Sequence, residues 1–189
     1  MMLQRLSIPD VWVYSPKIFP DNRGFFSEVY NKRTLQQVGI DLTFVQDNQS
    51  FNHEKNIIRG LHFQRPPFAQ EKLVRVSAGS IIDVAVDIRR GSPHYGKYVT
   101  QILSSKNGQQ LFIPEGFLHG FVTLEENTEV LYKCTEHYSP EHEVTVIFDD
   151  PDLDVDWKTD TRQCLVSDKD KQGVSFCGLQ TPFSFGHGS

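Results

Sequence analysis

Two stretches of this 189-residue chain place reactive side chains inside strand-like sequence, where packing alone would not call for them. The first is Ile58-Arg59-Gly60-Leu61-His62-Phe63-Gln64 with the following Gln70-Glu71-Lys72, which gathers a guanidinium, an imidazole and an ammonium group. The second is Glu129-Val130-Leu131-Tyr132-Lys133-Cys134, with Tyr138 just beyond it. A buried phenol needs a partner for its hydroxyl and offers a proton donor of pKa about 10, suited to protonating a carbanion. Each residue also has a plainer reading. A lone strand histidine is more often a core side chain satisfied by structural hydrogen bonds, and a lone tyrosine is more often packing than catalyst. Alternation puts Ile58, Gly60, His62 and Gln64 on one face and turns Arg59 away from His62. Both reach one pocket only if a bulge intervenes, and Gly60 is the natural place for it.

A third cluster, Pro114-Glu115-Gly116-Phe117-Leu118-His119, has the spacing P-x-G-x-x-H and resembles the second cupin motif, in which a tight turn delivers a histidine into a barrel mouth. In many cupins that histidine binds a metal, together with an H-x-H pair and a glutamate. This chain has His62-Phe63-Gln64 instead, too few imidazole and carboxylate donors for a stable first shell of zinc, iron or manganese. The site is expected to be metal-free, with His119 as a hydrogen-bonding residue.

The elements that must position these groups are strands. In Ile81 to Arg89 the even positions 82, 84, 86 and 88 are large and aliphatic while the odd ones carry Asp83, Asp87 and Arg89, which predicts a strand with one face in the core. Similar alternation recurs near 44–51, 57–64, 72–78, 97–103, 110–113, 120–124, 129–136 and 143–149. Turn signals such as Gly91-Ser92-Pro93 and Lys106-Asn107-Gly108 lie between the runs. Many short strands at this spacing indicate an all-β, antiparallel sandwich or barrel. One segment reads as helix, Thr34 to Val38, stopping at Gly39. A second helical turn is expected at Ser167-Asp168-Lys169-Asp170, which has N-cap chemistry.

Composition limits what such a fold can do. Hydrophobic residues make up 38% and charged residues 23%, which excludes a disordered chain. The net charge of −5 gives no basic field for nucleic acid or an anionic membrane, although a local arginine cluster could still hold a small anion. No stretch approaches the roughly 18 apolar residues of a spanning helix, and the N-terminus has no apolar signal region, so a cytoplasmic location is expected. Cys134, Cys164 and Cys177 are odd in number and widely spaced, and they read as reduced thiols, with Cys134 a small buried hydrophobe. The expected organisation is one domain over 1–189, with 171–189 a variable tail.

The motifs also stand in a recognisable order. Phe19-Pro20-Asp21-Asn22-Arg23-Gly24 with Glu28, Phe44-Val45-Gln46-Asp47-Asn48, Arg59-Gly60-Leu61-His62, Gln70-Glu71-Lys72, Asp83 to Arg89, Ile113 to His119 and Ser167-Asp168-Lys169-Asp170 together resemble the dTDP-4-dehydrorhamnose 3,5-epimerases, collinearly from about residue 5 to residue 170. The resemblance implies a dimeric jelly-roll (cupin) barrel that inverts C3 and C5 of dTDP-4-dehydro-6-deoxy-D-glucose without a cofactor, giving dTDP-4-dehydro-L-rhamnose. It implies His62 as base, oriented by Asp170, with Tyr132 as acid on the opposite face of the sugar and Lys72 beside the C4 oxygen of the enolate. His119 would support the substrate near the reacting centre. Arg59, Arg23 and Lys169 would hold the diphosphate. Glu28, Gln46, Asp47 and Asn48 would contact the thymidine part, some across the dimer interface, with Tyr138 stacked on thymine and Glu143 a further binding residue. For Arg23 and Glu28 a surface ion pair beside a turn is an equally good reading.

Ser92-Pro93-His94-Tyr95-Gly96 departs from the usual family pattern, outside the implied catalytic set. The tail, rich in Gly, Ser and Phe, either packs back through Phe176, Phe183 and Phe185 or stays loose. Rival readings are an epimerase that inverts only C3 or only C5 of a related nucleotide sugar, a non-catalytic nucleotide-sugar-binding cupin, and a metal-dependent cupin enzyme.

Overall fold

The computed structural model describes residues 2–37 and 39–186. In chain order the elements are β1 (Met2–Arg5), β2 (Trp12–Ser15), β3 (Ile18–Asp21), β4 (Gly24–Ser27), α1 (Lys32–Gln37), β5 (Gln46–Asn52), β6 (Ile57–Gln64), β7 (Lys72–Ala78) and β8 (Ser80–Asp87). They continue with β9 (Tyr98–Ser104), β10 (Gln110–Ile113), β11 (Phe117–Thr123), β12 (Thr128–Cys134), β13 (Glu143–Thr145), β14 (Leu165–Val166) and α2 (Asp168–Lys171). One sheet runs β1-β2-β10-β7-β12-β5 and the other β13-β6-β11-β8-β9, with β14 added to β6 and a separate β3–β4 hairpin. The pairings within both sheets are antiparallel except β14 with β6, as the turn-punctuated alternation required. No helix among the described residues is long and apolar enough to cross a membrane.

The two sheets pack face to face. Val13, Val74, Val76, Leu111 and Val130 of the first meet Ile81, Ala85, Val99, Phe117 and Phe121 of the second in one buried cluster. The expected single-faced strand at 81–89 needs correcting, because every residue of β8 is buried. Its aliphatic side, Ile82, Val84 and Val86, points out of the barrel under a layer made by Val146, Phe148, Leu153, Trp157 and Leu179. Its polar side, with Asp83, points into the barrel. Alternation was read correctly, but the side with the aspartates faces the interior, since the C-terminal third of the chain covers the aliphatic one. Trp157 anchors that cover by donating its indole N–H to the Phe148 carbonyl at 2.9 Å.

Several expected bounds shift. The strand expected at 120–124 begins at Phe117, so His119 lies within β11, and the run at 143–149 is a strand only to Thr145. Helix α1 starts two residues earlier than the apolar pattern predicts, because the Asn31 side chain accepts from the N–H groups of Arg33 and Thr34; Val38 lies outside the described residues. Its one buried residue, Leu35, joins Tyr14, Ile40, Leu73 and Phe112 on the outer face of the first sheet. Strands β1 to β4 were not foreseen. Val13 and Tyr14 enter different clusters on opposite faces of β2, and β3 and β4 are largely exposed, so neither pair shows the period-2 pattern that marks a half-buried strand. The α2 turn forms as expected, with the Ser167 hydroxyl accepting from the Asp170 N–H. Of the tail, the part up to 186 packs back onto the barrel, and 187–189 lie outside the described residues.

Candidate active site

Between the two sheets opens a cavity of about 780 Å³, within the range of a ligand site that takes a molecule the size of a nucleotide sugar. Its walls come from both sheets. His62, Arg59 and His119 stand on β6 and β11, while Lys72 and Tyr132 stand on β7 and β12 opposite them. Tyr132 pairs with Val74, two residues along from Lys72, so both side chains rise from the inner face of one sheet. The Lys72 Nζ lies 6.0 Å from the centre of the Tyr132 ring.

The bulge that sequence alone demanded is present. His119 faces His62 and Phe121 faces Arg59, so two steps along β11 match three along β6. Ile58, Leu61 and Phe63 consequently point outward into the covered layer, whereas Arg59 and His62 both line the cavity. Glycine is required at this point. Gly60 has φ +123°, and a Cβ there would sit 2.6 Å from the Cα of Gly120 and 2.8 Å from the His119 carbonyl oxygen.

Two imidazole–carboxylate pairs result. His62 Nε2 lies 2.6 Å from Asp170 Oδ1, and His119 Nε2 lies 2.7 Å from Asp83 Oδ1. Asp170 is delivered from far along the chain by the parallel pairing of β14 with β6 and by the Ser167 cap, and its other oxygen accepts from the Gly60 N–H at 3.3 Å. Burial alone would raise the pKa of Asp170, but the hydrogen bond and charge of His62, the Gly60 N–H and Ser167 outweigh it and hold the carboxyl below its ordinary range. Asp83 is fully buried, and its Oδ2 has no hydrogen-bond partner among the described residues. Among those residues, no group of three or more His, Cys, Asp or Glu converges as a metal-ligand set.

Burial dominates the other reactive groups. It pushes the Tyr132 phenol up, with Cys134 adding to the effect and Arg59 opposing it, so the hydroxyl keeps its proton at neutral pH. It pushes the Lys72 ammonium down, partly offset by Cys134, Glu143 and Asp83. It also pushes His119 down, against the pull of Asp83. Cys134 is a buried thiol raised by desolvation, consistent with the hydrophobe expected of it.

At the cavity's outer end, Tyr138 donates its hydroxyl to Glu143 Oε2 at 2.9 Å, and Lys169 forms an ion pair with the same carboxylate. Gln46 accepts from the Tyr138 N–H and donates to Asn48, placing both beside the aromatic ring. Three expected residues lie elsewhere. Arg23 pairs with Asp21 on the exposed hairpin, Glu28 accepts from Asn31, and Asp47 forms an ion pair with Lys133 on the outer surface. Three residues that sequence reasoning left out of the site do contribute. Asp83 holds His119, Asn52 accepts from the Arg59 Nε–H at 2.8 Å, and Gln70 lines the cavity. Asp83 and Gln70 lay in strings that the sequence singled out, whereas nothing local marked Asn52.

The family model for dTDP-4-dehydrorhamnose 3,5-epimerase matches residues 5–177. The chain belongs to the dTDP-4-dehydrorhamnose 3,5-epimerase family. It is 48% identical over 177 residues to the dTDP-4-dehydrorhamnose 3,5-epimerase of Pseudomonas aeruginosa, covering 93% of this chain and 96% of that one. It is 51% identical over 158 residues to that of Salmonella typhimurium, covering 83% and 86%. A crystal structure of the Legionella pneumophila dTDP-6-deoxy-D-glucose-3,5-epimerase in complex with dTDP-4-keto-L-rhamnose superposes with a TM-score of 0.89 at 42% identity, covering 95% of this chain and 94% of that one. The jelly-roll barrel of this epimerase family thus accounts for the two facing sheets and for the cavity between them.

Proposed function

We propose that this protein, acting as one domain, inverts C3 and C5 of dTDP-4-dehydro-6-deoxy-D-glucose to give dTDP-4-dehydro-L-rhamnose. The observation that carries the proposal is a proton acceptor and a proton donor on opposite walls of one cavity, His62 with its Asp170 partner on one side and Tyr132 on the other. The hydrogens on C3 and C5 flank the C4 ketone, so removing either leaves an enolate with its charge on the C4 oxygen. His62 takes the proton, Asp170 fixes the imidazole tautomer and stabilises the imidazolium, and Tyr132 returns a proton from the other face, because return from the same face would restore the starting configuration. Lys72 stands beside the carbonyl. Its ammonium is desolvated and makes no ion pair among the described residues, so its counter-charge arrives with the enolate, an arrangement worth about 3 kcal/mol for one well-placed donor.

His119 supports the sugar near the reacting carbons. Arg59 and Lys169 bind the diphosphate, and Tyr138, Gln46, Asn48 and Glu143 receive the thymidine. The chemistry is proton transfer, which these side chains supply, and it calls for no cofactor. The reading includes a homodimer in the cytoplasm, in which Arg23 and Glu28 of the hairpin, with Asp47, serve the nucleotide end of a site across the interface. Supporting it are the bare phenyl rings of Phe25 and Phe26 on that hairpin, 67% and 66% exposed. A monomeric mass in solution at micromolar concentration would remove the cross-subunit roles.

Incubating the protein with the 4-keto sugar in deuterium oxide and locating the label by NMR tests the double inversion. Deuterium at both C3 and C5, each with inverted configuration, is expected. Label confined to one of the two carbons would replace the double epimerase with a single one.

A further inference from the structure

Lys72, His62 and His119 line a second, much smaller cavity, about 10 Å³, room for roughly one water molecule. The rest of its wall comprises Phe63, Gln64, Gln70, Ile113, Gly116 and Phe117 and one residue from the end of the chain, Phe183. That residue lies beyond the stretch matched by the family model, which ends at 177. It is nonetheless firmly held. Its ring meets Phe63 edge-on at 5.8 Å between centroids, its carbonyl accepts from the Arg90 N–H at 3.0 Å, and two residues later the Phe185 N–H donates to the Arg90 carbonyl at 2.9 Å. The Arg89 guanidinium lies 4.6 Å from the ring centre of Phe117 and 5.0 Å from that of Phe185, tying the strap to the barrel, while Leu179 and Thr181 are buried upstream. Gly116 leaves the space this needs, since a Cβ there would sit 2.5 Å from Arg89 Cγ and 3.4 Å from Phe183 Cβ.

We propose that the strap of residues 179–185 closes the barrel behind Lys72 and His119, with Phe183 as a positioning residue that stops bulk water from reaching both from that side. This rests on the roles assigned to Lys72 and His119 in the epimerisation. The reason is dielectric: an ammonium aimed at a developing enolate is worth far more in a dry site than in one where water competes for the same oxygen. The strap brings only an apolar ring to this side. The charged or titratable groups around Lys72 and His119 are Asp83 on β8, His62 on β6 with Asp170 behind it, Tyr132 and Cys134 on β12, Glu143 on β13, Glu71 beside Lys72, and Glu115 after β10. Burial lowers the pKa of both Lys72 and His119, so admitting water must raise both.

The test compares wild type, Phe183→Ala and the milder Phe183→Leu, each checked for folding by circular dichroism. NMR titration of the Lys72 ammonium and the His119 ring should give midpoints about one pH unit higher in Phe183→Ala and less displaced in Phe183→Leu. The pH profile of kcat should move upward with them, with a fall in kcat of about 10-fold at its optimum. Titration midpoints that stay in place in the folded variants, or a loss of kcat with an unmoved pH profile, would overturn the proposal. Should the wild type fail to epimerise the sugar, the functional reading would fall, while the titrations would still decide whether the strap keeps the site dry.

Discussion

Replacing His62 with alanine is expected to lower kcat about 10³-fold, within the range for loss of a positioned general base, while dTDP binding changes little. The imidazole has a carboxylate behind one ring nitrogen and stands across the cavity from Tyr132. His119 forms a like pair with Asp83, but burial pushes it away from the charged form that a base must take up, so it is a poor substitute. The fold should survive, because Asp170 keeps the Gly60 N–H and the Ser167 cap after His62 is gone. Solvent exchange of the C3 and C5 hydrogens, followed by NMR, checks the assignment directly. A variant that still exchanged them at near wild-type rate would place the base elsewhere.

Tyr132→Phe separates the two halves of the reaction. Removing the hydroxyl leaves the ring packing intact, and the base still has its partner, so C–H bonds should continue to break. What disappears is delivery from the opposite face. The expected outcome is a loss of inversion of about 10² to 10³-fold, with continued uptake of solvent deuterium at unchanged configuration as His62 hands the proton back on its own side. The hydroxyl suits this role because burial and the neighbouring Cys134 keep it protonated until the enolate forms. Equal loss of exchange and inversion would show that the phenol takes part in proton removal, and the division of labour would have to be redrawn.

The barrel was largely legible. Strands β5 to β12 announce themselves by alternation because each faces a core on one side and a different environment on the other. Strands β1 to β4 do not, since β2 is buried on both faces while β1, β3 and β4 are largely exposed. Among the site residues, His62, Lys72 and Tyr132 could be singled out as polar groups on strand faces. The pairing of His119 with Asp83 could not, because it depends on which side of β8 looks inward. That choice is made by Phe148, Leu153 and Trp157, which cover the aliphatic side from more than sixty residues downstream.

Sequence by itself determined the chemistry available to this protein: an imidazole, a phenol and an ammonium, on strands whose period and turns admit only a few architectures. Tertiary structure decided which of those groups meet. Asp170 reaches His62 across 108 positions of chain, and Phe183 closes a wall that no local pattern marks. The physical reason is that alternation and turn chemistry act over a few residues, whereas burial of charge, the register of a bulge and the dryness of a cavity are set by which distant segments pack against each other.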